Sequence, residues 1–195
     1  METNNDFLES LAEGLPALAS QGLRAVNVQT YVESNVKLGN QHEFSVYVPA
    51  LAFDATSDFI LVTGALPVAL KGRVIRCDGA GVVSSIFQGP AYSGGVAQPY
   101  YNLNYKNPVA GLAQIIGGAT VTDTGVKVAA DKYLIGREAQ GNQVTMSEGR
   151  EAEGLEFIFA PNTAYLFRLA SLGTAGTQKV SAYVTWYEGV LDLPL

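Results

Sequence analysis

The chain has 195 residues, a net charge of −6 and only 15% charged residues, against 48% hydrophobic. The twelve Lys and Arg side chains are scattered, which excludes a basic nucleic-acid grip. Average domains carry about 25% charge, so a surface this poor in ions fits area hidden in an assembly or a close-packed β protein.

One cysteine, Cys77, rules out an internal disulfide. It follows Val74-Ile75-Arg76 and reads as a small buried residue rather than a nucleophile. The start METNNDFLES has neither the basic nor the apolar region of a secretory signal. No apolar run approaches the ~20 residues that span a bilayer, so neither a leader nor a membrane partner is expected.

Residues 4–20 are the one helix candidate. Asp6 and Glu9 match a capping box, and Phe7, Leu8, Leu11, Leu15 and Leu18 recur at helical spacing. Gly14 and Pro16 weaken it after about two turns. Residues 1–23 are thus a helical arm, either a lid on its own domain or a contact, through Phe7 and Leu11, with a neighbouring subunit.

From residue 24 the period changes to two, and residues 24–195 read as one β domain. Val26, Val28 and Thr30 alternate with polar residues, as do Phe44, Val46 and Val48. Further runs cover Ile60–Val62, Val74–Cys77, Val82–Phe87, Leu155–Phe159, Tyr165–Leu169 and Val180–Tyr187. Turn signals separate them, among them Leu38-Gly39-Asn40, Asp78-Gly79 and Pro161-Asn162. Eight to ten short strands predict an all-β fold, an antiparallel jelly-roll-like sandwich with a short N-terminal helix or arm.

Residues 88–111 lack that period and read as a long loop. Their only charge is Lys106, and they hold Tyr92, Tyr100, Tyr101 and Tyr105. Loops of this length in compact domains are usually functional or contact-making. The tyrosines either half-bury against their own sandwich or line contacts between subunits. The composition, rich in Tyr and poor in charge, favours the second.

Catalytic residues are scarce. His42 is the only histidine, no nucleophile elbow accompanies it, and it reads as a surface or edge residue. Glu148, Glu151, Glu153 and Glu156 form the one acidic cluster, read as a solvated loop ahead of a calcium site or a glycosidase pair. No phosphate loop, dinucleotide fingerprint or glycosylation sequon occurs. The expectation is a non-enzymatic chain with no cofactor and no metal.

Three blocks stand out in order: Tyr101-Asn102-Leu103-Asn104-Tyr105, then Pro161-Asn162-Thr163-Ala164-Tyr165-Leu166-Phe167-Arg168, then Trp186-Tyr187-Glu188. With the glycine-flanked acidic stretch before the second, they resemble the C-terminal signature of small tailed-bacteriophage virion structural proteins. The resemblance spans about residues 100–190. It implies a capsid decoration subunit, with a tail or collar component as alternative, acting by adhesion. Its partners would be further copies of itself, a trimer by analogy with viral jelly rolls, and the major capsid protein or a tail protein. It would reside in the virion after synthesis in the bacterial host cytoplasm. A carbohydrate-binding jelly-roll module and a glycosidase are the rival readings.

On the residues alone, Pro161-Asn162-Thr163 is a turn that launches a strand. Tyr165, Phe167 and Leu169 share one face of it, Leu166 and Arg168 the other. The strand closing at Trp186 is expected to pair with it as a hairpin. Trp186 is then a core anchor whose indole N–H seeks a carbonyl.

Overall fold

The computed structural model describes residues 31–135, 147–149 and 157–189. The predicted arm, with Phe7 and Leu11, lies outside them, as do Glu151, Glu153 and Glu156.

The first described element is a helix, α1 (Tyr31–Leu38). Gly39 ends it at φ +78°, a conformation that a side chain resists. The Gly39 N–H donates to Val36 C=O and the Asn40 N–H to Asn35 C=O, both at 3.0 Å. This is a Schellman cap. The sequence marked the Leu38-Gly39-Asn40 turn but assigned period-two alternation to the residues entering it. α1 is therefore a correction: Val32 and Val36, four apart, fit helix as well as strand.

The rest is antiparallel β structure, fifteen strands among the described residues. In chain order they are β1 (Gln41–Ala52), β2 (Thr56–Val62), β3 (Val68–Cys77), β4 (Gly81–Gln88), β5 (Ala91–Ser93), β6 (Val96–Gln98), β7 (Tyr101–Asn102) and β8 (Gln114–Gly117). β9 (Thr120–Asp123), β10 (Val126–Lys127), β11 (Lys132–Ile135), β12 (Ser147–Gly149), β13 (Phe157–Phe159), β14 (Ala164–Ser171) and β15 (Thr177–Glu188) follow. One sheet runs β12-β3-β15-β1-β7, with β13 also on β3. The second runs β10-β4-β14-β2-β8-β6, with β11 also on β4. β5 and β9 form a separate ribbon.

The two large sheets make an all-β sandwich. Alternation along each strand sends one set of side chains inward. Phe44, Val184, Trp186 and Leu70 of the first sheet meet Phe59, Leu61, Ile86 and Phe167 of the second in one core cluster. Ile75, Cys77, Val180 and Ala182 meet Val82 and Leu169 in another. Between the two, on strands that contribute to both, Arg73 is buried and its Nη1 donates to Ser84 Oγ at 2.9 Å. Burying a guanidinium is costly unless its donors are met, and this bond meets one of them across the core.

β14 and β15 do not form the expected hairpin. β14 lies between β2 and β4, β15 between β3 and β1, so each is a central strand of its own sheet. Residues 172–176 cross the end of the sandwich between them. Two strands that each bury one face satisfy the same alternation side by side or face to face, and here they stack across the core.

Candidate functional site

The outer face of the first sheet carries the tyrosines. On β1, Glu43, Ser45 and Tyr47 point away from the core, opposite Phe44 and Val46. Tyr183 stands across from Ser45, and Tyr101 across from Glu43. Directly opposed residues share a face, so Tyr47, Tyr101 and Tyr183 lie on one surface. They are 62%, 59% and 37% exposed, and Tyr105, beyond β7, is 76% exposed. Tyr183 donates to Glu43 Oε2 at 2.5 Å. Burial, then Glu43, and to a smaller degree Tyr105, push its phenol well above the usual range, so it stays a donor.

Two asparagines display Tyr101 and Tyr105. Asn102 Nδ2 donates to Gly39 C=O at 2.5 Å and to Val109 C=O at 2.9 Å. Its Oδ1 accepts the Asn104 N–H at 2.7 Å. Asn104 Nδ2 donates to Lys37 C=O at 2.8 Å, while its Oδ1 accepts the N–H groups of Lys106 and Asn107. Helix ends leave carbonyls unsatisfied, and these amides satisfy two beside the end of α1. The Asn-x-Asn block is thus a clamp that ties the segment to α1 and leaves the flanking tyrosines outside.

Residues 88–111 are consequently not a structureless loop. They hold β5, β6 and β7, three short strands in three different sheets. Strands of two or three residues are too short to show a period, which is why alternation missed them.

The four predicted tyrosines part company. Tyr92 is half-buried on the β5–β9 ribbon. Tyr100 turns inward; its ring meets His42 edge-on, centroids 5.5 Å apart, and Trp186 at 5.2 Å. Its hydroxyl donates to Ala113 C=O at 3.0 Å. Tyr101 and Tyr105 remain exposed, joined by Tyr47 and Tyr183, which were not among the predicted contact residues. Alternation against Phe44-Val46-Val48 and Val184-Trp186 was the signal available for both.

His42 is corrected from a surface position to the core. It is 2% exposed, packed against Tyr100 and Trp186, and its Nδ1 has no hydrogen-bond partner. Burial lowers its pKa, and the nearby Glu188 only partly opposes this. Glu188 is itself buried. It accepts the Leu112 N–H at 2.6 Å, the Ala113 N–H at 3.2 Å and the Trp186 indole N–H at 3.2 Å. Glu188 and Tyr100 thus anchor the segment entering β8.

Cys77 is buried, and burial raises its thiol pKa. Of the acidic cluster, Glu148 lies on β12 and the other three are outside the described residues. Among the described residues, no group of three or more His, Cys, Asp or Glu could hold a metal ion. The arrangement suits contact: rigid phenols, a polar floor of Glu43, Ser45, Ser181 and Thr185, and Arg76 at its rim.

Comparison with known protein families, curated proteins and solved structures returns no match for this chain.

Proposed function

We propose that this chain is a non-enzymatic bacteriophage virion structural subunit, a capsid decoration protein that oligomerises and binds the particle surface. The exposed tyrosine face of Tyr47, Tyr101, Tyr105 and Tyr183 carries the reading. Tyrosines give large contact area at low entropic cost, and a monomer gains nothing from leaving four of them in water. The resemblance of the 101–105, 161–168 and 186–188 blocks supplies the virion context.

The strand order supports a jelly roll. With β10 and β11 counted as one lateral strand, β12 and β13 as another, and β6, β7 and β8 set aside as additions beyond β1 and β2, the sheets hold four principal strands each. Along the chain they alternate between sheets, except that β10/β11 stays beside β4. That order is what the wrapping of two Greek keys would give. Many viral capsid subunits share that architecture, an argument by analogy of fold.

Immunogold electron microscopy on particles of the encoding phage tests the proposal, using antibody to the purified chain. Gold on the head is the expected result; gold on the tail or collar would move the subunit there. Particles without gold would overturn the reading.

A second reading has one observation in its favour. Tyr183 lines a cleft with Ser45, Val74, Arg76 and Ser181, a mixture of aromatic and polar groups that suits a sugar ring. Glycan-array binding abolished by Tyr183→Ala, with unlabelled particles, would establish that reading instead.

A further inference from the structure

β1 is twelve residues long, but β7 covers only His42 and Glu43 of it. The Leu103 N–H donates to Gln41 C=O at 2.9 Å, which fixes the direction of the backbone groups. In an antiparallel ladder, alternate residues present both N–H and C=O to the same neighbour. Gln41 and Glu43 face β7, so Ser45 and Tyr47 present their N–H and C=O to the same side. His42, Phe44 and Val46 face β15. Among the described residues, nothing pairs with Ser45 or Tyr47 on that side.

Natural sheets guard such edges with charge, proline or bulges. Here Pro49 and the register shift after Val48 stop the edge at one end, and β7 stops it at the other. Between them it is unguarded: Phe44 to Phe53 holds no charged residue, in a chain of net charge −6.

We infer that this edge joins two copies of the chain, β1 against β1, antiparallel about a two-fold axis at Val46. The inference rests on the oligomeric reading above. The pattern is self-complementary. Ser45 of each copy stands opposite Tyr47 of the other, and the two pairs exchange four backbone hydrogen bonds. The paired stretch runs only from Ser45 to Tyr47, because Tyr101 already occupies that side of Glu43, and it holds no charged residue, so no like charges meet across the axis. The partner strand arrives at β7 where β1 itself leaves register. The pairing fuses the first sheets of two subunits and extends their tyrosine faces into one surface. Being two-fold, it links subunits in pairs.

The experiment pairs a cross-link with a mass measurement on the full chain. Hydrogen-bonded antiparallel pairs hold Cα atoms about 5.5 Å apart, within disulfide reach. Under mild oxidation, Ser45→Cys/Tyr47→Cys should run as a dimer on a non-reducing gel. Each single cysteine variant should stay monomeric, because like positions are offset across the axis. Sedimentation should give twice the monomer mass for the parent and the monomer mass for Ser45→Lys/Tyr47→Lys, with unchanged circular dichroism. A double-cysteine protein that stays monomeric, or singles that cross-link equally well, would overturn the inference. So would a folded lysine variant of unaltered mass. The virion reading fails separately: gold on particles without cross-linking refutes only the edge, and cross-linking without gold refutes only the virion.

Discussion

The Trp186 indole donates to Glu188 Oε1 at 3.2 Å, and the same carboxylate accepts two backbone N–H groups from Leu112 and Ala113. A residue from the closing block therefore holds both the central tryptophan and the segment entering β8. A carboxyl group with three donors is strongly anchored, and each buried donor left unpaired costs about 1–3 kcal/mol.

Three substitutions separate packing from polarity at this point. Trp186→Ala should cost about 3–5 kcal/mol, as large buried aromatics do. Glu188→Ala should cost a comparable amount while barely changing apolar burial. Glu188→Gln keeps an acceptor and should recover much of the loss. Urea denaturation of the three variants checks this; a Trp186→Ala protein as stable as the parent would mean the ring is not the anchor.

His42 predicts a pH dependence whose sign follows from burial. Its folded pKa lies below the ordinary 6.5, so the unfolded chain takes up the proton first as pH falls. This contribution to stability is complete above about pH 7. It is lost from about 6.5 down to the lowered folded value, at no more than about 1.4 kcal/mol per pH unit. His42→Phe should flatten that slope. Denaturant midpoints between pH 7 and 5.5 for parent and variant measure it, and equal slopes would contradict the assignment.

Much of this was legible in the residues, for a physical reason. Burial is periodic, so alternation at Phe44-Val46 and Val180–Trp186 identified strands and their inward faces, and Trp186 proved to be core. Pairing is not periodic, so the same alternation put β14 and β15 in a hairpin that does not exist. Val32 and Val36 fit either period, which hid α1. His42 looked peripheral because the rings that bury it, Tyr100 and Trp186, are 58 and 144 positions away in sequence. The tyrosine face was half visible: Tyr101 and Tyr105 stood out by composition, while Tyr47 and Tyr183 needed the register to join them.

Cys77 should be inert in the folded protein. It is 2% exposed and its thiol pKa is raised, so little thiolate forms near neutral pH. A chromogenic disulfide reagent should react slowly with native protein and rapidly after denaturation. Equal rates would place the thiol at the surface.

The Asn-x-Asn clamp predicts an effect on binding that exceeds its effect on stability. Asn104→Ala removes the amide bond to Lys37 and both turn bonds, at a cost of about 1 kcal/mol or a little more. It should leave the β spectrum unchanged but loosen the display of Tyr105. Particle binding should then weaken as it does for Tyr105→Ala. Full binding by Asn104→Ala would show that the clamp has only a structural role.

The most direct test of the tyrosine face as an adhesive surface is re-addition to particles. Purified chain is mixed with phage particles lacking it, and the bound fraction is read by co-sedimentation. The parent should saturate the particles, and Tyr101→Ala/Tyr105→Ala should lose most of that binding while keeping the parent's circular dichroism and melting temperature. Undiminished binding by the folded double variant would contradict the account.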